Sequence, residues 1–264
     1  MVSWILGVTC GASAGECSKV YRMGWTDIPP AFYGNELRQP VGVDVEILDA
    51  VFERLGCRYE PRYMPFKRYI VSTEAGMVDL VLSASKNADR QSYAYFSVPY
   101  RRERMVAFAF SGNEELLKIR SLDDLARSSA RVAAGIGMWL GAEFHARLES
   151  DPDFKSRVML IEGYTTIVKA LAANRVDVMV GDENGIHYLI NKLGLQAKVV
   201  PLPVLIHEND VHFMFSKKTV PEEDVWQVDA VLRNFLGSTE HMEILARYPV
   251  GDPLQMLPEG VKPK

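Results

Sequence analysis

Along this chain, short apolar runs with strand character take turns with longer stretches in which apolar residues recur every three to four positions. VYRMGW (20–25) reads as a strand. VDVEILDAVFERLG (43–56) reads as a helix, with Ile47, Leu48, Val51 and Leu55 on one face and Gly56 as its stop. CRYEPRYM (57–64) returns to strand, KRYIVSTEAG (67–76) to helix, and VDLVLSA (78–84) and RMVAFAF (104–110) to strand. After SGNEE the pattern restarts. Ser121 and Asp124 have capping-box spacing before a helix, then RVAAGIG, RVMLIEG and VDVMVGD read as strands separated by the helices WLGAEFHARLES and TTIVKALAAN. VHFMFSKK (211–218) is a further strand and VWQVDAVLRNFLG (225–237) a helix. Strand and helix in alternation predict an α/β fold, a mainly parallel sheet flanked by helices.

The two halves echo each other. Ile70-Val71 leads through a helix to Gly76 and then Val78-Asp79; Ile167-Val168 leads through a helix to Asn174 and then Val176-Asp177. Gly and Asn both tolerate the left-handed conformation that ends a helix. Two similar α/β lobes would show this repetition, as would any pair of βα units.

Bulk composition narrows the function. The chain has 264 residues, 48% apolar and 24% charged, with net charge −4. Lys and Arg are dispersed, so no basic stripe points to nucleic acid. No apolar run approaches the roughly 18 residues of a membrane span. Residues 1–16 differ from the rest: a short apolar stretch is followed by Ala12-Ser13-Ala14, which resembles a secretory signal and its cleavage site. A basic n-region is missing, so on the signal reading a start further upstream is expected; a buried first strand is the competing reading. Export would allow Cys17 and Cys57, at the same end of two neighbouring parallel strands, to form a disulfide. Two unrelated core cysteines are the alternative.

In open parallel sheets, ligands bind beyond the carboxyl ends of the strands. Those ends carry Trp25 to Tyr33, Met64 to Arg68, Ser83 to Ser85 with Arg90 after a turn, Gly135 to Trp139, and Gly181 to Asn184. Aromatic walls, hydroxyls, arginines and a carboxylate suit a small zwitterion: arginine pairs bidentately with carboxylate, and aspartate holds an ammonium. Each residue also has a plain structural role open to it. Arg90 would serve in a surface salt bridge, Asp182 as a helix N-cap, Trp25 in core packing. Enzyme signatures are thin. The five histidines are scattered, with no HExxH, GxSxG or P-loop, and nothing calls for a metal or cofactor.

VDLVLSASKNADRQSYAYFSVPY (78–100) carries a more specific pattern: Ser85 and Arg90 five residues apart, then Phe96-Ser97-Val98-Pro99-Tyr100. This stretch resembles the signature of family 3 extracellular solute-binding proteins, the periplasmic receptors of polar amino-acid ABC importers. Gly24-Trp25 with Pro29-Pro30, Gly42-Val43-Asp44, Ser121 to Leu125, and Arg175-Val176-Asp177 before Asp182 follow in that family's order. The likeness extends over about Val20 to Tyr248, and Met64 to Arg68 resembles a divergent branch.

The resemblance implies a two-lobed type II periplasmic-binding fold whose lobes are joined by two crossing strands. Lobe one would hold residues 17–108 plus 209–264, and lobe two 109–208. It implies a ligand site of Trp25, Tyr33, Arg68, Ser83, Ser85, Arg90, Met138 and Asp182. Arg90 would grip a carboxylate with the help of Ser83 and Ser85, Asp182 would take an ammonium, and Trp25 and Tyr33 would wall the side-chain pocket. Where the family usually has a threonine, this chain has Met138, which offers a backbone amide but no hydroxyl; an organic acid therefore stays open as ligand. The implied protein is a periplasmic monomer without enzymatic activity that hands a small polar ligand to a permease. A sensor-docking role is one alternative. A cyclohexadienyl-dehydratase-like enzyme is the other, with Glu183 as the nearest proton donor.

Overall fold

The computed structural model describes residues 17, 19–248 and 253–264; the segment 1–16, read above as a signal remnant, lies outside them. Its strands, in chain order, are β1 (Val20–Trp25), β2 (Tyr33–Gly34), β3 (Pro40–Val41), β4 (Arg58–Tyr63), β5 (Leu80–Ser85) and β6 (Ala94–Phe96). They continue with β7 (Arg101–Phe110), β8 (Val132–Gly135), β9 (Val158–Ile161), β10 (Val178–Asp182) and β11 (Val199–Ser216). One sheet runs in the order β4-β1-β5-β11-β7-β10-β8-β9, with β6 also on β11, while β2 and β3 form a separate hairpin. The pairs β1–β4, β1–β5, β8–β9 and β8–β10 are parallel. Strand β11 is antiparallel to both β5 and β7, and β7 is antiparallel to β10.

This α/β architecture follows from the periodicity. Helix Val43–Leu55 buries Ile47, Leu48, Val51, Phe52 and Leu55 against the sheet, and Gly56 ends it at φ 69°. Val178, Met179 and Val180 are buried in succession because β10 lies between β7 and β8 with its faces covered. Two apolar cores result. The first is built from residues up to Tyr100 and again from Val211 onward; the second runs from Met105 to Ile206. The chain passes between them at 101–104 and 207–210, within β7 and β11, so the first passage falls a few residues before position 108.

The internal echo has a chemical counterpart. Asp79 accepts hydrogen bonds from Arg22 N (2.7 Å), Nε (3.1 Å) and Nη2 (2.8 Å), and Arg22 Nη2 also donates to Gly76 O. In the other half, Asp177 accepts from Arg131 N, Nε and Nη2 at 2.8–2.9 Å, and Arg131 Nη2 donates to Asn174 O. Gly76 and Asn174 are both left-handed, at φ 72° and 54°. Each lobe thus locks the end of a helix to its central strands with the same arginine–aspartate fork.

Three elements differ from the sequence reading. KRYIVSTEAG forms two short helices, Phe66–Tyr69 and Val71–Ala75. The helix expected from Trp139 begins at Gly141, whose φ of 86° sets the entry turn. Strand β11 is far longer than VHFMFSKK and accommodates Pro201 and Pro203 through register shifts against β7. Cys17 and Cys57 are disulfide-bonded, with Cα atoms 5.3 Å apart, tying the chain ahead of β1 to the start of β4.

Candidate functional site

Sheet register assembles the site. Pairing of β5 with β11 sets Ser85 opposite Val211, and pairing of β11 with β7 sets Val211 opposite Arg101 and Asn209 opposite Glu103. On the far side of β7, Asp182 pairs with Met105. The ends of β5 and β10, from opposite lobes, therefore face one cleft floored by the crossing strands. Its empty volume is about 530 Å³, counting the part open to solvent.

Ser83 has φ 49°, unusual for a residue with a side chain, and two buried tyrosines stabilise the backbone there. Leu82 N donates to Tyr69 Oη (2.7 Å), which donates to Leu82 O (2.6 Å); Ser83 N donates to Tyr100 Oη (2.7 Å). The Ser83 hydroxyl donates to Asp44 Oδ2 (2.7 Å). Asp44 is also bound by Arg101 through Nε (2.8 Å) and by Tyr100 Oη (2.8 Å). All three partners of Asp44 thus converge under the cleft, and the Arg101 charge is matched inside the protein.

Arg90 is not matched in this way. Asn87 caps its short helix by accepting from Arg90 N (2.9 Å), which fixes the side chain over the end of β5. Its guanidinium donates to Ser85 O (2.9 Å), and among the described residues it has no carboxylate partner. Burial holds its pKa below that of a free arginine. From the other lobe, Asp182 uses Oδ2 to cap helix Glu183–Lys192 through Gly185 N (2.9 Å), while Oδ1 is buried without a hydrogen-bond partner. The N-cap role weighed for Asp182 is carried by Oδ2, and Oδ1 is left over. Burial raises its pKa.

Ser83, Ser85, Arg90, Met138 and Asp182 all line the cleft. Trp25 does not; it meets Tyr63 edge-on (4.9 Å between centroids) and lines a neighbouring pocket with Asp27 and Arg38. Tyr33 packs on Tyr188 of the second lobe, 5.8 Å between rings, at the rim. Arg68 is exposed and outside the lining; Tyr69, one residue on and so about 100° around the helix, takes the inward position. One expectation is corrected. The Met138 amide is already used, donating to Gly135 O (3.3 Å), because the chain makes a turn here before its helix starts. Met138 contributes its side chain, folded over Gly135, where an added Cβ would lie 2.2 Å from the sulfur. Glu183 pairs with Arg104 (2.9 Å) and does not line the cleft.

Sequence reading missed Arg101 and Glu103. Both are buried cleft residues, and Glu103 Oε1 accepts from Ser85 Oγ (3.3 Å) and Asn209 Nδ2 (3.2 Å). Burial, then the Asp182 charge, push the Glu103 carboxyl up to about 8. A period-two signal was present: Arg101, Glu103 and Met105 share one face of a strand whose other face carries Arg102 and Arg104 at this end, and which is apolar from Met105 to Phe110.

Two α/β lobes, two connecting strands and a cleft with unmatched charges on both sides define a two-lobed ligand-binding protein. The fold is that of periplasmic binding proteins. The chain belongs to the bacterial extracellular solute-binding proteins, family 3, whose sequence profile matches residues 21–224. It is 25% identical over 241 residues to the probable amino-acid-binding protein YxeM of Bacillus subtilis (strain 168), covering 85% of this chain and 86% of that one. Among solved structures, the substrate binding protein of an amino acid ABC transporter superposes with TM-score 0.71 at 20% identity, covering 88% of this chain and 99% of that one. A histidine kinase sensor domain with similarity to periplasmic binding proteins does so with TM-score 0.72 at 18% identity, covering 93% and 98%.

Proposed function

We propose that this protein captures a small amino acid in the periplasm by closing its lobes over the cleft, and delivers it to an ABC importer. One observation carries the reading: the Arg90 guanidinium and Asp182 Oδ1 face the same cavity from opposite lobes, the first with a single backbone partner and the second with none. A ligand bearing carboxylate and ammonium satisfies both, and buried polar groups are costly when left unpaired. Ser83 and Ser85 sit beside Arg90 on the first lobe, and Met138 lines the cleft from the second. Trp25, Tyr33 and Arg68 belong to the surroundings of the cleft in this reading.

Closure is supported by the rim. Ile28 packs against both cores, and a Cβ on Gly185 would lie 3.1 Å from Pro29 O of the other lobe. The family and the name of the Bacillus relative favour an amino acid over other solutes. A thermal-shift screen of the twenty L-amino acids beside malate and succinate tests the reading. At least one amino acid raises the melting temperature in a dose-dependent way and the dicarboxylic acids do not; a shift with the acids alone would refute it.

A further inference from the structure

We propose that Glu103 makes this cleft selective for a cationic amino acid, one of net charge +1, which binds in exchange for a proton; this rests on the amino-acid reading of the same site. The argument starts from charge. Arg101 and Asp44 neutralise each other beneath the cleft. Arg90 and Asp182 answer the carboxylate and ammonium of a zwitterion. Glu103 is then one carboxyl in excess, and it is 7% exposed, as is Asp182.

Hydrogen bonding points the same way. Glu103 Oε1 takes the two donors within reach, Ser85 Oγ and Asn209 Nδ2. Oε2 receives none among the described residues, and Asp182 Oδ1 is buried with no partner. The donors that line the cleft, the Arg90 guanidinium and the Tyr164 hydroxyl, form no hydrogen bond to either oxygen. A ligand with several N–H groups, an ammonium or guanidinium beyond the α-ammonium, supplies what is missing.

Without ligand, a proton fills that place. The charged groups around Glu103 are Arg101 on its own strand, Asp182 on β10, Asp44 on helix Val43–Leu55 and Arg90 on the helix after β5. Tyr164 faces it from helix Tyr164–Ala172. Burial and the two aspartates outweigh the arginines, so the carboxyl holds its proton at neutral pH. A bound cation drives that proton off to solvent. Apparent affinity therefore climbs about tenfold per pH unit below pH 8 and flattens above it. A neutral zwitterion leaves the proton in place and shows no such slope.

The test is calorimetric titration of L-arginine, L-lysine and L-glutamine into the protein at pH 6, 7 and 8, in two buffers of different ionisation enthalpy, with wild type and Glu103→Gln. The expected result is tighter binding of the two cationic amino acids, release of nearly one proton at pH 7, and an affinity about tenfold higher at pH 7 than at pH 6. Glu103→Gln removes the proton release and the pH slope. Should that variant not fold, the slope and proton count of the wild type decide alone. Tighter binding of L-glutamine, or proton release that persists in Glu103→Gln, would overturn this inference and leave the amino-acid reading intact. Binding of none of the three, with none of the twenty amino acids shifting the melting temperature, would overturn both.

Discussion

Arg101 Nε donates to Asp44 Oδ1 at 2.8 Å with the two side chains 3% and 0% exposed, and Asp44 also accepts from the hydroxyls of Ser83 and Tyr100. One carboxylate thereby fixes the floor of the cleft and the left-handed turn at Ser83. Asp44→Ala leaves a buried guanidinium uncompensated. It should cost about 3–5 kcal/mol, measurable as a lower midpoint in urea unfolding. A loss under 1 kcal/mol would mean that water replaces the carboxylate easily.

Gly185 lies where the second lobe meets Pro29 of the first, with 3.1 Å available for a Cβ. Gly185→Val adds bulk against Pro29 O, with Asp182 Oδ2 at 3.4 Å and Tyr164 at 3.8 Å from the new Cβ. It should weaken ligand binding at least tenfold while the unliganded melting temperature changes little. Small-angle scattering of the variant with saturating ligand should show a larger radius of gyration than wild type under the same conditions.

The arginine forks predict a response to acid. Burial alone would raise the Asp79 pKa, but hydrogen bonds from Arg22 and Lys19 hold it well below the usual carboxylate range. A depressed pKa contributes stability that is present above the unfolded value near 3.8 and is lost as pH falls through the folded one. Asp79→Asn should therefore be less stable than wild type at pH 7, and the gap should narrow progressively as pH falls below about 4. Urea midpoints of both proteins at pH 7, 4 and 2.5 check this.

Glu103 has the opposite sign. Its pKa is raised from 4.5 to about 8, so its contribution is present below pH 4.5 and drains away as pH rises towards 8. Wild type should lose up to about 1.4 kcal/mol per pH unit relative to Glu103→Gln across that window. Parallel slopes for the two proteins would show that Glu103 ionises at its ordinary pKa.

Much of this was legible in the sequence, and the reasons are local. Periodicity gave the helices and parallel strands, Gly76 and Asn174 marked two equivalent helix ends, and the Ser85–Arg90 spacing brought Arg90 back over Ser85 O. The long strand Val199–Ser216 was only half visible, because Pro201 and Pro203 argue against a central strand and are admitted here by register shifts. Without its full length, residues 101–104 had no partner to bury them, and the strand read from the sequence began only at Arg104, which left out Arg101 and Glu103. Arg68 misled for a related reason: a basic residue at a strand end looks like a ligand contact until the helix phase turns it outward.

The central claim stands on Arg90. Its guanidinium is desolvated for a single bond to Ser85 O, so Arg90→Ala should leave the unliganded melting temperature within a few degrees of wild type. The direct measurement is the thermal shift of both proteins with whichever L-amino acid stabilises wild type most. The account predicts a dose-dependent rise for wild type and none for Arg90→Ala at the same concentrations. An equal rise in both would contradict it, since the carboxylate would then be held by some other group.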